Sequence, residues 1–282
     1  MHASYNSGGL VDAVSQPDSL QRAFGQLSVS LKRRGPHSVL DGLRQAGCLK
    51  ARFPRPDDPR WLNVVTLNTS GGIAGGDALD SGVVVGAGAR ATIASQAAER
   101  FYRALPGSAA SSVRTRIAVA DGGAAEWLPQ ETILFDRCAV RRSLHINLAD
   151  NARFLGVESL VFGRAAMGEI VENASLRDVY EVHRGGRLLL HDAIRLEGEV
   201  AATLRRPAIA GGARAVATLV YVAHDAETML DPLRGQGIGA SAWDGMLIAR
   251  MLAADGATMR ARVIDALRVL RGGRALPRVW LC

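Results

Sequence analysis

The side chains able to bind a metal or move a proton are sparse in this chain and mostly far apart. It carries six histidines, His2, His37, His145, His183, His191 and His224, none at the spacing that puts two imidazoles on one helical face. Its three cysteines, Cys48, Cys138 and Cys282, form no Cys-x-x-Cys pair. A tight, permanent metal site is therefore not expected. His191-Asp192 is an adjacent His–carboxylate pair that follows an apolar strand. It reads either as weak ligands for an exchangeable ion or as a polar strand end facing water. Glu158 interrupts the apolar run Phe154-Leu155-Gly156-Val157-Glu158-Ser159-Leu160-Val161-Phe162. Its carboxylate is either on a wet strand face or buried with a partner or internal water, because an unpaired buried charge is costly. Asp77, Glu169 and Asp192 are further carboxylates that could line a polar passage, but their spacing does not place them side by side.

The most unusual local feature is the loop Gly71-Gly72-Ile73-Ala74-Gly75-Gly76-Asp77. A phosphate-binding loop of the Walker type needs a Gly-Lys-Ser/Thr ending so that lysine reaches the phosphates, and this loop ends in Asp77. The dinucleotide fingerprint fails as well, since the glycine spacing is wrong and no helix clearly follows. Gly71, Gly72, Gly75 and Gly76 are read instead as backbone that turns with positive φ or approaches another segment closely. No Gly-x-Ser-x-Gly elbow is present. Cys138 follows Phe135-Asp136-Arg137, a context that does nothing to activate a thiol. No constellation argues for an enzyme.

The elements that must hold these groups read as strands. Leu27, Val29 and Leu31 alternate with polar residues, as do Val113, Thr115, Ile117 and Val119, and again Leu144, Ile146 and Leu148. Trp61 to Asn68, two short strands meeting near Gly86-Ala87-Gly88, Leu155 to Phe162 and Ala215 to Ala223 add more. Turn signals at Asp121-Gly122-Gly123, Asp150-Asn151 and Arg184-Gly185-Gly186 suggest repeated hairpins and antiparallel pairing. Pro54, Pro56 and Pro59 exclude a long helix before residue 60. Gln96 to Leu105 reads as a short helix or a strand, and so does Leu247 to Ala253. His224 to Leu233 reads as a short helix. Met259, Val263, Ile264, Leu267 and Leu270 recur at helical spacing between an Asp255 cap and a Gly272-Gly273 stop. The expectation is a mainly β fold of stacked antiparallel or mixed sheets forming an elongated body, with a few helices including this C-terminal amphipathic one. Residues 1–20 read as a flexible arm, and 21–282 as a single β-rich domain. No internal repeat of fixed period is visible.

Composition bounds the function. The formal net charge is +7, and Lys32 and Lys50 are the only lysines, so the positive charge is nearly all arginine. Arginine richness fits a nucleic-acid binder, or a genome-wide codon preference combined with a surface that meets acidic proteins. The absence of a long basic run or an aromatic-basic stripe favours the second. No segment reads as a signal peptide or a membrane span, and the odd, scattered cysteines suit a reducing cytoplasm.

Five blocks in order resemble the UreD (UreH) family of urease accessory proteins. They are Leu67-Asn68-Thr69-Ser70 leading into the glycine loop to Asp77; Ser95-Gln96-Ala97-Ala98-Glu99-Arg100-Phe101-Tyr102-Arg103; Glu126-Trp127-Leu128-Pro129-Gln130-Glu131-Thr132-Ile133-Leu134-Phe135; Phe162-Gly163-Arg164-Ala165-Ala166-Met167-Gly168-Glu169; and Pro277-Arg278-Val279-Trp280. The resemblance spans roughly residues 20–282. It implies a cytoplasmic, non-enzymatic protein that binds UreF, the GTPase UreG and apo-urease, and that helps pass nickel to the urease active site. It implies an internal passage, no tightly bound cofactor and nickel held only in transit, with no nucleic-acid or membrane partner. By motif position it assigns Asp77, Glu158 and Asp192, with His191 beside the last, to a transient nickel path, and makes Gly71, Gly72, Gly75 and Gly76 its signature loop. A β-rich scaffold that never touches nickel is the nearest alternative.

Overall fold

The computed structural model describes residues 21–164 and 167–281, so the arm expected over 1–20 lies outside the described residues. Among them the strands are, in chain order, β1 (Phe24–Arg34), β2 (His37–Gly47), β3 (Leu49–Arg52), β4 (Leu62–Asn68), β5 (Ala78–Val85), β6 (Arg90–Ser95), β7 (Glu99–Phe101), β8 (Ser111–Val119), β9 (Ala124–Trp127), β10 (Thr132–Leu134), β11 (Ala139–Leu148), β12 (Arg153–Phe162), β13 (Asn173–Arg184), β14 (Arg187–Glu199), β15 (Ala215–Val222), β16 (Gly239–Trp243) and β17 (Met246–Ala253). The helices are α1 (Val200–Arg205), α2 (Leu230–Arg234) and α3 (Gly256–Leu270). The two segments left open in the sequence, Gln96 to Leu105 and Leu247 to Ala253, thus contain strands β7 and β17.

Two sheets face each other. One has seven strands in the order β14-β13-β11-β8-β5-β1-β2. The other has ten, along the path β16-β17-β15-β12-β9-β6-β4-β3, with β10 beside β12 and β7 beside β10. The sheets are mixed, and their centres are parallel: β1–β5, β5–β8, β8–β11 and β11–β13 in one, β4–β6, β6–β9 and β9–β12 in the other. The expectation of mostly antiparallel hairpins is corrected here. The turns at Gly86-Ala87-Gly88, Asp121-Gly122-Gly123 and Asp150-Asn151 do not fold a strand onto its neighbour. They carry the chain from the seven-stranded sheet to the ten-stranded one, and each return lays a new strand parallel to the last. Gly, Asp and Asn serve both kinds of turn, so local composition does not separate them. The hairpin at Arg184-Gly185-Gly186 is a true one, joining β13 to β14. Successive coils enter the seven-stranded sheet at Ala78, Ser111, Ala139 and Asn173, at uneven intervals, so no repeat period shows in the sequence.

Strand alternation fills the space between the sheets. Leu27, Val83, Ile117, Ile146, Phe154 and Val182 belong to one buried apolar cluster there. β12 is apolar on both sides because its other face is also covered. Leu155, Val157 and Leu219 form a second cluster with Met259, Val263, Leu267 and Leu270 of α3. That helix starts where the Asp255 carboxylate accepts a hydrogen bond from the Thr258 backbone N–H at 2.7 Å, and it stops at Gly272 and Gly273, whose φ values are 58° and 74°. The molecule is therefore three layers, helix on sheet on sheet. The outer face of the seven-stranded sheet has no such cover, and Arg114, Arg116, Arg141, Arg177 and Arg195 stand exposed on it.

Candidate polar passage between the sheets

Glu158 sits on the inward side of β12, facing the other sheet. There it meets Arg142, which the alternation of β11 points inward with Val140, Leu144 and Ile146. The Arg142 guanidinium bridges two carboxylates, Glu158 at 2.7 Å and Asp178 of β13 through two bonds of 2.9 and 2.5 Å. Trp127 Nε1 donates to the other Glu158 oxygen at 2.6 Å, and Arg142 also donates to Thr132 Oγ1 at 2.9 Å. The three charged side chains are only 11–14% exposed. Burial raises the Glu158 pKa, and Asp178 adds to the rise against the pull of Arg142. Burial works against the Arg142 charge, but the two carboxylates outweigh it and hold the guanidinium protonated.

Arg142 and Glu158 of this triad form a wall shared by two cavities. The larger, about 230 Å³, has Arg142 and Glu158 in its lining together with Gly71, Gly72 and Glu99. Glu99 accepts from Asn68 Nδ2 at 3.1 Å, and burial raises its pKa. The smaller, about 20 Å³, is bounded by Arg142, Glu158, Asp178, Tyr180, Asp192 and Thr218. That is room for one water-sized guest between these polar groups and the apolar Leu144, Leu160, Val179, Ile194 and Val216. Among the described residues the Tyr180 hydroxyl is the buried side-chain polar atom with no hydrogen-bond partner. Burial, then the Glu158 and Asp192 charges, push its pKa well above the usual phenol range. It fits because residue 156 is glycine: a Cβ there would lie 2.3 Å from the hydroxyl.

The residues singled out in the sequence fall into separate places. Glu158 and Asp192 line the same small chamber. Asp192 is also paired with Arg250 of β17. His191 lies on the opposite face of β14, because neighbouring residues of a strand point to opposite sides. It bonds Glu181 at 2.8 Å on the outer surface, so the adjacent pair does not act as one ligand set. Asp77 is buried beside the glycine loop, where its oxygens accept from the backbone N–H groups of Ala23 and Ala74, each at 2.8 Å. Glu169 is held by Arg164 at 2.7 Å and does not line either cavity. The Cys138 thiol is buried, and its pKa is pushed up to about 12. Among the described residues no group of three His, Cys, Asp or Glu side chains is arranged to hold a metal ion. Arg142, Asp178, Trp127 and Tyr180 were not singled out from sequence. One signal was present: Arg142 occupies the apolar parity of β11.

The glycine loop is fastened to β7 and the residue after it. Ile73 N–H donates to the Arg100 carbonyl at 2.7 Å, Tyr102 N–H donates to the Ile73 carbonyl at 2.8 Å, and the Tyr102 hydroxyl donates to the Gly71 carbonyl at 2.9 Å. Gly72 has φ +143°, and a Cβ there would lie 2.3 Å from the Tyr102 ring. Gly72→Ala is therefore expected to destabilise the protein by about 2 kcal/mol or more. Gly71→Ala, with φ +79° and open space, should cost only about 1 kcal/mol. Urea denaturation of both variants measures the difference, and equal losses would contradict the close contact with Tyr102.

Comparison with known proteins agrees with the five sequence blocks. The family model described as UreD urease accessory protein matches residues 23–281. A urease accessory protein UreD of Rhizobium leguminosarum bv. trifolii is 42% identical over 264 residues, covering 92% of this chain and 96% of its own. One from Dinoroseobacter shibae is 42% identical over 267 residues, covering 93% of each chain. One from Agrobacterium fabrum is 38% identical over 277 residues, covering 97% of this chain and 96% of its own.

Proposed function

This chain belongs to the UreD urease accessory protein family, and on that premise we propose that it is a non-enzymatic, cytoplasmic scaffold that binds apo-urease together with UreF and UreG and passes nickel toward the urease active site through the passage between its sheets. The observation that carries the nickel part is the set of oxygen-bearing side chains at one small chamber, Glu158, Asp178, Asp192, Tyr180 and Thr218, next to a larger cavity that shares the Arg142–Glu158 wall. Carboxylate and hydroxyl oxygens bind nickel weakly and exchange it, as a transfer path requires and a closed thiolate site does not. No helix among the described residues is long and apolar enough to cross a membrane.

The test is urease activation at limiting nickel in cells that carry the urease operon, with this gene deleted and then restored. Deletion is expected to leave inactive, nickel-poor urease. In the restored background, Glu158→Gln and Asp192→Asn are expected to lower activation about tenfold or more, while His191→Ala, on the outer face, leaves it near normal. Asp77→Ala should lower activation through loss of folded protein, visible as reduced soluble yield. One observation favours the plainer scaffold reading: the carboxylates of the chamber are already matched by Arg142 and Arg250. Full activation by both Glu158→Gln and Asp192→Asn at limiting nickel would establish that reading and remove nickel from the passage.

A further inference from the structure

The uncovered face of the seven-stranded sheet carries an arginine ladder. Arg141 of β11 stands directly beside Arg177 of β13, and Arg177 directly beside Arg195 of β14. Adjacent strands are about 4.8 Å apart, so three guanidinium stems rise within about 10 Å of one another. Like charges directly opposite each other weaken a sheet. Nothing local relieves this row. Among the described residues the Arg141 and Arg177 side chains make no ion pair or hydrogen bond. Arg195 reaches Glu197 at 2.8 Å, but it is 77% exposed, where such a pair contributes little. Glu181, also on this face, is already engaged: it bonds His145 through one oxygen and His191 through the other, both at 2.8 Å. Arg114 and Arg116 share Asp80 on the neighbouring strand. The result is an open groove of about 610 Å³ whose lining holds Arg114, Arg141, Arg177 and Arg195 against Glu181 and Glu197.

We propose that this ladder is a docking surface for an acidic segment of a partner protein. A guanidinium fork takes a carboxylate through two parallel hydrogen bonds, and a row of forks at strand spacing suits a short run of carboxylates. Two features favour protein over nucleic acid. The row is too short to follow a phosphate backbone for more than about two nucleotides. The outward positions of β8, β11, β13 and β14 hold no Phe, Tyr or Trp on which a base could stack. The like-charge strain is relieved when the acidic partner arrives, so the surface trades stability of the free chain for binding.

The experiment uses the full chain and two fluorescent probes of equal net charge, an alternating Glu-Ser peptide and a thymidine oligonucleotide, in anisotropy titrations at several salt concentrations. Arg141→Ser/Arg177→Ser removes the ladder, and Arg103→Ser/Arg206→Ser removes the same charge elsewhere on the surface. The peptide is expected to bind, with affinity falling as salt rises. The ladder variant should weaken it at least tenfold, the control less than twofold. The melting temperature of the ladder variant should rise by about 1–3 °C, because a repulsion has been removed. Equal loss in both variants would reduce the effect to net charge and overturn the proposal. So would the absence of peptide binding at low salt, tighter binding of the oligonucleotide than of the peptide, or a lower melting temperature in the ladder variant, which would mark the arginines as structural.

Discussion

Glu126→Ala should remove about 3–5 kcal/mol of stability, a large fraction of the ~5–15 kcal/mol that holds a typical domain together. Glu126 faces outward from β9 but lies under the C-terminal segment, where it is 3% exposed. Its carboxylate accepts from Arg271 Nε and from a terminal nitrogen of the same guanidinium, both at 3.1 Å, and from Thr92 Oγ1 at 2.6 Å. Arg274 bonds it as well and lays its guanidinium 3.9 Å from the Trp61 ring centre. Arg271, at the end of α3, is buried, and it donates to the carbonyls of Arg274 and Ala275. One acid thus anchors the end of the helix, the tail after it and two strands. Removing it leaves the Arg271 charge buried with carbonyl partners alone, and that uncompensated charge is the main cost. Glu126→Gln keeps part of the hydrogen bonding and should lose less. Glu126→Leu combined with Arg271→Met should recover much of the loss, because an apolar pair of similar volume does without the buried charge. Guanidinium unfolding midpoints compare the variants, and limited proteolysis should cut Glu126→Ala first in the C-terminal segment. A loss below about 1 kcal/mol would show that the anchor is wet and loosely held.

What the sequence disclosed follows from how far each signal reaches along the chain. Alternation is local, so β1, β8 and β11 were legible from Leu27, Ile117 and Leu144 with their neighbours. The α3 helix was legible with both ends because Asp255 and Gly272 act within one turn. Parallel pairing was not legible, since β8 and β11 meet only after the chain has crossed to the other sheet and back. The same distance hid the triad. Arg142, Glu158 and Asp178 come from three strands in two sheets, and no local pattern links them. Glu158 was found because a carboxylate inside an apolar run needs a reason. Arg142 breaks the parity of β11 in the same way, yet it sits beside Arg141 in a chain where arginine is common. His191 and Asp192 show the opposite hazard: adjacency suggested a joint role, whereas a period of two places them on different faces. The glycine loop was legible as a special backbone, and Gly72 against Tyr102 supplies the close approach expected of it.

Arg142→Ala tests the wall between the two cavities, and its effect should depend on pH and on nickel. The substitution leaves Glu158 and Asp178 buried near each other without their shared cation. At pH 8 the buried negative charge is then uncompensated, and the loss should be about 3–5 kcal/mol. Burial already raises the Glu158 pKa in the intact protein, and loss of Arg142 raises it further. A carboxyl with a raised folded-state pKa binds its proton more tightly when folded than when unfolded. Its protonation therefore stabilises the fold as pH falls through the folded value, and the benefit ends near the unfolded value. The variant should accordingly be closer to wild type at pH 5 than at pH 8, and Glu158→Gln combined with Arg142→Ala should flatten that slope. Arg142→Lys keeps a charge but not the fork that spans both acids, and should cost an intermediate amount. A divalent cation offers a second way to neutralise the pair. At a concentration 100 times its Kd, nickel would restore about 2.7 kcal/mol to the variant, and it should raise the melting temperature of Arg142→Ala more than that of wild type. If nickel uses this passage as proposed, the guanidinium of the intact protein would compete with it for the same two carboxylates, so that affinity stays low and cargo can leave. The variant should therefore hold nickel more tightly and activate urease less at limiting nickel, even where it is folded. If it is as stable as wild type at pH 8, or if nickel shifts both proteins equally, Arg142 is not the counter-charge of this passage.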